Sequence, residues 1–189
     1  TGKNAAGGRV EETINIDQLD TEKNVAYGVS NAILVGGDYE LEELDSTVPE
    51  YFEGMAPREV TFTTSSTQEN PLVINVQNDR SKGELQISTQ TDPEGGPLTG
   101  ITYKVTEVKI NDDGSYTKLD GTNGTQDTVQ EVEGSNGQAD TSLADIKEIN
   151  AGNYLVEQVT IPAGYKKDMP QIVEVPADGI GYAIFVIEK

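Results

Sequence analysis

Two glutamates and an asparagine are the residues of this chain whose placement asks for chemistry. Glu157 lies in the run Gly152-Asn153-Tyr154-Leu155-Val156-Glu157, where a strand-like pattern reads it as looking inward between Leu155 and Val159. Glu42 closes a matching phrase, Gly37-Asp38-Tyr39-Glu40-Leu41-Glu42, and Asn78 ends the run Pro71-Leu72-Val73-Ile74-Asn75-Val76-Gln77-Asn78. A carboxyl group drawn into an apolar interior is held neutral, so it can donate and shuttle a proton. Unpaired burial is otherwise costly, so an inward glutamate on a strand needs a reason. The plain reading of Asn78 is turn chemistry, since Asn-Asp favours a turn.

What surrounds these residues narrows the chemistry further. The chain has no cysteine and no histidine, which removes disulfides, thiolate nucleophiles, the usual general base and the commonest transition-metal ligand. Catalysis would have to run on carboxylates, Lys, Tyr, Ser or Thr, and no acid pair suited to a hydrolase is recognisable, so no enzyme is expected. Glu40 and Glu42 share one strand face and Glu43 takes the other. The acidic stretch at 120–127, DGTNGTQD, lacks the alternate acids and closing glutamate of a calcium loop. The stretch VGGDYE lacks the lysine and following helix of a phosphate loop, and Asn123-Gly124-Thr125 is a formal glycosylation sequon only. No metal or cofactor is expected. With 33 acidic against 13 basic residues and a net charge of −20, contact with nucleic acid or an anionic membrane is disfavoured. No leader or membrane span is visible, and the apolar runs are strand-sized.

The elements that must position these residues are strands. Short runs rich in Val, Ile, Thr and Tyr, separated by Gly, Asn, Asp and Pro, fall at 12–16, 32–35, 38–44, 59–64, 72–77, 84–89, 101–110, 116–119, 154–160, 171–176 and 182–188. Asn111-Asp112-Asp113-Gly114 predicts a hairpin turn. Residues 141–150, TSLADIKEIN, space their apolar side chains for a short helix or turn, and the polar stretch 119–140 reads as a surface excursion. The fold class is all-β. A polar boundary at 78–83, NDRSKG, separates a module at 1–80 from a second at 81–189.

The two phrases ending in glutamate are an internal repeat. Each is followed by a proline and a tyrosine, Pro49 and Tyr51 in the first, Pro162 and Tyr165 in the second, and then by paired β-rich runs. The second copy also has Gly83-Glu84-Leu85-Gln86-Ile87 and Pro97-Leu98-Thr99-Gly100-Ile101-Thr102-Tyr103-Lys104-Val105 ahead of it, whereas the first begins too late to hold an equivalent opening strand. These residues resemble the collagen-adhesin B-type (CNA-B, or SpaA-like) domains of Gram-positive surface proteins and pilins. That pattern runs G-x-L-x-I, then P-L-x-G-x-x-Y-x-V, then G-x-Y-x-L-x-E-x-x-x-P-x-G-Y, then a last strand ending in Asn. The resemblance covers nearly all of 83–189 and, more loosely, 32–78.

The resemblance implies tandem transthyretin/Ig-like β-sandwich modules, the first incomplete at its N-terminal side. It also implies a chemistry, an isopeptide bond between a first-strand Lys and a last-strand Asn assisted by the box glutamate. Closing a loop of roughly 100 residues would stabilise the fold by about 4–5 kcal/mol on chain-entropy grounds. In the second module the lysine slot falls on Thr89 or Gln90 and the acceptor slot near Ile187 or Glu188, so no bond is expected there and Glu157 is a remnant. A Thr–Gln ester is not expected either, because 182–189 offers Thr89 no Gln. In the first module Asn78 stands in the acceptor slot with Glu42 in the box, but only Lys3 lies near the start. The isopeptide candidates are therefore Asn78, Glu42 and Glu157. The implied role is a non-catalytic segment of a pilus shaft or adhesin stalk, outside the cell, at the wall or on a surface appendage. Its partners would be neighbouring modules or pilin subunits, and a host extracellular-matrix protein in the alternative reading as a ligand-binding adhesin. A third reading is a filament subunit completed by a neighbour's strand. Eight Tyr without Trp offer little for carbohydrate stacking.

Overall fold

Apolar–polar alternation sets most of the second half of the described residues into strands. The computed structural model describes residues 1–3, 7–22, 25–30, 37–61, 73–91, 98–119, 130–138 and 141–189. They divide into two compact units: Thr1–Val48 with Gly54–Asn78, and Pro49–Glu53 with Asp79–Lys189. The protein is all-β, and the one helical turn among the described residues is a 3-10 turn at Asp45–Thr47.

In the first unit, β1 (Gly2–Lys3), β2 (Arg9–Val10), β3 (Gln18–Asp20), β4 (Val25–Tyr27) and β5 (Asp38–Leu41) come before the 3-10 turn. β6 (Phe52–Glu53) belongs to the second unit, and β7 (Arg58–Thr61) returns to the first. An antiparallel sheet orders β2-β1-β5-β7, while β3 and β4 form a separate ladder. Tyr39 on β5 is the buried hydrophobic residue of this unit among those described. The strand expected at 12–16 does not form, since Ile16 stays exposed and the run has no pairing partner. Residues 73–77 are described but not in a strand, while 32–35 and 62–64 lie outside the described residues.

The second unit is a two-layer sandwich. It continues with β8 (Asp79–Arg80), β9 (Lys82–Thr91), β10 (Thr102–Ile110), β11 (Tyr116–Lys118), β12 (Gln130–Glu133), β13 (Ser135–Gln138), β14 (Thr141–Asn150), β15 (Gly152–Thr160), β16 (Gln171–Val175) and β17 (Ile180–Ile187). One layer orders β11-β10-β15-β16 with β12 also on β10; the other orders β13-β14-β9-β17. Leu85 and Ile87, Tyr103 and Val105, Tyr154 and Val156, and Ala183, Phe185 and Ile187 point into one shared core. Tyr103 stacks on Phe185 across the layers, centroids 6.0 Å apart. Each fully buried side chain of this kind contributes about 1.5–3 kcal/mol.

Two sequence expectations are corrected here. Residues 141–150 form strand β14, not a helix: Ala144 and Ile146 are buried while Asp145 is exposed. A register shift between Ile146 and Ile149, with Glu148 at φ 56°, breaks the alternation and imitates helical spacing. The stretch 119–140 is not wholly a surface excursion, because β12 and β13 lie within it and pair through their backbones to β10 and β14. The Asn111–Gly114 turn forms as expected, with Gly114 at φ 80° and its N–H donating to the Asn111 carbonyl at 2.9 Å.

Candidate functional site

On β15 the inward positions are Tyr154, Val156 and Gln158, so strand parity turns Leu155 and Glu157 to the other face. Glu157 is therefore not the inward acid of this strand. It stands opposite Lys104, half-exposed, with Oε2 3.4 Å from Lys118 Nζ. The inward polar residue is Gln158, which is buried, and its carboxamide is used at both ends. Its Nε2 donates to Thr89 Oγ1 at 3.0 Å, and its Oε1 accepts the Asp168 N–H at 3.0 Å. Thr89 Oγ1 in turn lies 2.8 Å from Tyr103 Oη. Asp168 continues outward, its Oδ2 accepting the Val186 N–H at 2.9 Å and its Oδ1 the Met169 N–H at 2.7 Å.

The chain of contacts runs from β10 through β9 and β15 to the loop before β16, and on to β17. It ties both layers together through neutral donors and acceptors, and the one carboxylate in it is occupied by backbone N–H groups. Gln171 extends the tie: its side-chain amide donates to the Ile184 carbonyl, and its Oε1 accepts the Ile184 N–H at 3.2 Å. The exposed edge of β17 is thus engaged by side chains where another strand would otherwise add. Thr89, in the expected lysine slot, is fully buried opposite Phe185, while Gln90 faces solvent. The Gln that meets Thr89 comes from β15 and not from 182–189.

The other candidates also move by one position. Asn78 Nδ2 donates to Glu43 Oε1 at 2.9 Å, and the Met55 N–H donates to Glu43 Oε2 at 3.0 Å. Glu42, the expected partner, is exposed. The Asn78 donor, followed by the Met55 N–H, holds the Glu43 carboxyl below its ordinary range, against a smaller opposing effect of desolvation. That carboxylate is an acceptor tied to two donors, and at neutral pH it has no proton to give. Lys3 is exposed on β1, opposite Asp38 and Arg9. In the pattern that these phrases resemble, the glutamate is the sixth residue after the glycine, a place that Glu43 takes after Gly37 and Gln158 takes after Gly152.

Further along the box, Tyr154 is buried with Oη donating to the Asn150 carbonyl at 2.6 Å. Burial, followed by the nearby Glu107 charge, raises its pKa. Tyr165 packs on the core after a turn from Pro162. The acidic stretch at 120–127 and the sequon at 123–125 lie outside the described residues. Among the described residues no group of three acids gathers as a metal site.

Three comparisons place this geometry. The family model "SpaA: Prealbumin-like fold domain" matches residues 83–188, more than half of the chain. Curated protein sequences give no significant match. Among solved structures, the Bacillus anthracis TIE protein is similar at 17% identity and TM-score 0.53, over 90% of this chain and 28% of that one. The full-length major pilin SpaD from Corynebacterium diphtheriae is 25% identical over 56% of this chain and 30% of its own, at TM-score 0.37. GBS52, the minor pilin of Streptococcus agalactiae, is 17% identical over 88% of this chain and 65% of its own, at TM-score 0.42. This chain thus spans less than two thirds of each of these proteins. With the matched segment coinciding with the two-layer sandwich from β9 to β17, the chain belongs to the SpaA prealbumin-like domain family.

Proposed function

We propose that this chain is a non-catalytic, tension-carrying segment of a Gram-positive surface protein, a pilus shaft or adhesin stalk outside the cell, working in series with neighbouring modules or subunits. The observation that supports it is the parallel pairing of β9 with β17, from Ile180↔Glu84 to Ile187↔Thr91. Tension entering at the start of β9 and leaving at the end of β17 pulls the two strands along their common axis. The ladder's hydrogen bonds then resist together, whereas an antiparallel pair pulled from adjacent ends opens one bond at a time. Resistance of this kind is set by the unfolding rate and not by equilibrium stability alone. The Gln158, Asp168 and Gln171 side chains brace the same strand from the side. Single-molecule pulling tests the reading, and the absence of native cysteine makes attachment clean. Handles at the chain termini should need clearly more force than handles on Lys82→Cys and Asp178→Cys, which unzip the ladder from one end. Equal forces would overturn it.

The Asn78–Glu43 contact supports a second, narrower reading for the first unit. In this reading a lysine amine attacks the Asn78 side-chain carbonyl carbon to form an amide, the Glu43 carboxylate relays the amine's proton, and Nδ2 leaves as ammonia. The intact mass of the denatured chain tests it. A mass short by one ammonia, with the cross-link mapped to Asn78, would bear this reading out; the full mass would overturn it and leave the pair as a hydrogen-bonded tie.

A further inference from the structure

We propose that residues 49–53 form a latch that seals the Arg80 end of the sandwich and opens before the β9–β17 ladder does. The anchor is a buried charge that the apolar core cannot hold alone. Glu107 points inward on β10 with a side chain only 4% exposed, and its Oε1 lies 2.7 Å from Arg80 Nη1. Arg80 Nη2 donates to the Ala151 carbonyl, and the guanidinium lies over the Phe52 ring, 5.5 Å from its centroid. Among the described residues Arg80 Nε and Glu107 Oε2 have no hydrogen-bond partner, so this pair has little to spare. Gly152 leaves room for it, since a Cβ there would come within 2.9 Å of Arg80 Nη2.

The latch itself is held by few bonds. β6 pairs with β8 over two positions, Phe52↔Arg80 and Glu53↔Asp79, and the Ser81 N–H donates to the Tyr51 carbonyl at 2.9 Å. Tyr51 Oη donates to Glu174 Oε1 at 3.2 Å and accepts from Asn153 Nδ2 at 3.4 Å. Tyr51 sits at φ 66°, a left-handed conformation that a bulky residue keeps only while its surroundings enforce it. Two ladder positions and a strained tyrosine stand against the eight positions of β9–β17. Because β8 leads directly into β9, tension reaches the latch before it reaches the ladder. Neither the latch nor Arg80 falls within the family-matched segment 83–188, so the matched segment lacks the counter-ion of its own buried glutamate.

Hydrogen exchange on the full chain under native conditions tests this, with the Ser81 amide reporting the latch and the Phe185 amide reporting the ladder. Ser81 should exchange faster than Phe185. Phe52→Ala should speed Ser81 by about two- to fivefold, the factor expected for an exposed cation–π contact, and leave Phe185 unchanged. Arg80→Met should speed it by about a hundredfold or more by stranding Glu107, and Arg80→Met with Glu107→Leu should recover most of the loss. Exchange of Ser81 in step with Phe185, no response to Phe52→Ala, or no recovery in the double variant would each overturn the latch.

Discussion

Replacing Gln158 by leucine removes the central link of the polar tie while keeping the side chain's bulk. Two hydrogen bonds are lost, to Thr89 and from the Asp168 N–H. A neutral hydrogen bond contributes about 0.5–1.5 kcal/mol net, and a donor left unpaired in the interior costs about 1–3 kcal/mol. Thr89 keeps Tyr103 as a partner, so its hydroxyl is not stranded. The expected loss is therefore about 2–4 kcal/mol. With a urea m-value of about 2 kcal/mol/M, the unfolding midpoint of the second unit should fall by about 1–2 M at unchanged m. Thr89→Val likewise removes two buried bonds, to Gln158 Nε2 and Tyr103 Oη, and should cost about as much, whereas Thr89→Ser keeps the hydroxyl and should cost less.

Gln158→Glu separates hydrogen bonding from charge at the same position. The introduced carboxyl keeps its shape but is buried without a cation, so its folded-state pKa rises above the unfolded value of about 4.3. For a raised pKa the stabilising form is the protonated one. The variant should match wild type below about pH 4 and lose stability as pH climbs through the raised folded pKa. A midpoint shift of Gln158→Leu within a few tenths molar, or a Gln158→Glu profile parallel to wild type, would show that the slot is solvated and the reasoning wrong.

Three further outcomes follow from the same geometry. Because the donors on Glu43 lower its pKa, the Asn78–Glu43 tie should persist at neutral pH and be lost as pH falls through that lowered value. The Asn78 side-chain amide resonances would follow this titration, and Asn78→Ala should move the Glu43 midpoint upward. Gly152→Ala should cost about 1–3 kcal/mol in chemical denaturation, from φ 150° and the approach to Arg80; Gly114→Ala, at φ 80° in open space, should cost about 1–2 kcal/mol from backbone strain alone. Glu157→Gln should change stability by no more than about 1 kcal/mol, since its ion pair with Lys118 is half-exposed.

The sandwich was readable because strand period and turn chemistry agree from Glu84 to Ile187. The NDDG turn needed nothing beyond its own residues. What misled was parity. Tyr154, Leu155 and Val156 are all buried, so an apolar run covered on both faces gives no in-or-out signal, and the sequence alone does not distinguish the face of Glu157 from that of Gln158. The same slip by one residue exchanged Glu42 for Glu43. Position 141–150 failed for a related reason, since a bulge changes the apparent period without changing the element. The Arg80–Glu107 pair was beyond any local reading, because its members lie 27 residues apart and Phe52 lies further still.

The absence of histidine and cysteine bears on how such a stalk would meet its surroundings. Neither thiol–disulfide redox chemistry nor the ordinary histidine titration near neutrality has a side chain to act on. Among the described residues, the groups whose pKa is displaced move away from neutral pH. Glu43, Glu84 and Asp113 move down through hydrogen bonds from Asn78, Gln86 and Ser115 respectively. Tyr51 and Tyr154 move up through burial first, and Lys147 through its bond to Asp145. The signs matter: lowered acids stabilise the fold above the acid range and raised bases below the alkaline range, so both leave the neutral interval flat. The protein's mechanical response should therefore depend on where force is applied and little on pH between about 6 and 8. A rupture force that changed steeply across that interval would require a carboxylate or amine shifted into it, since the chain has no histidine or cysteine.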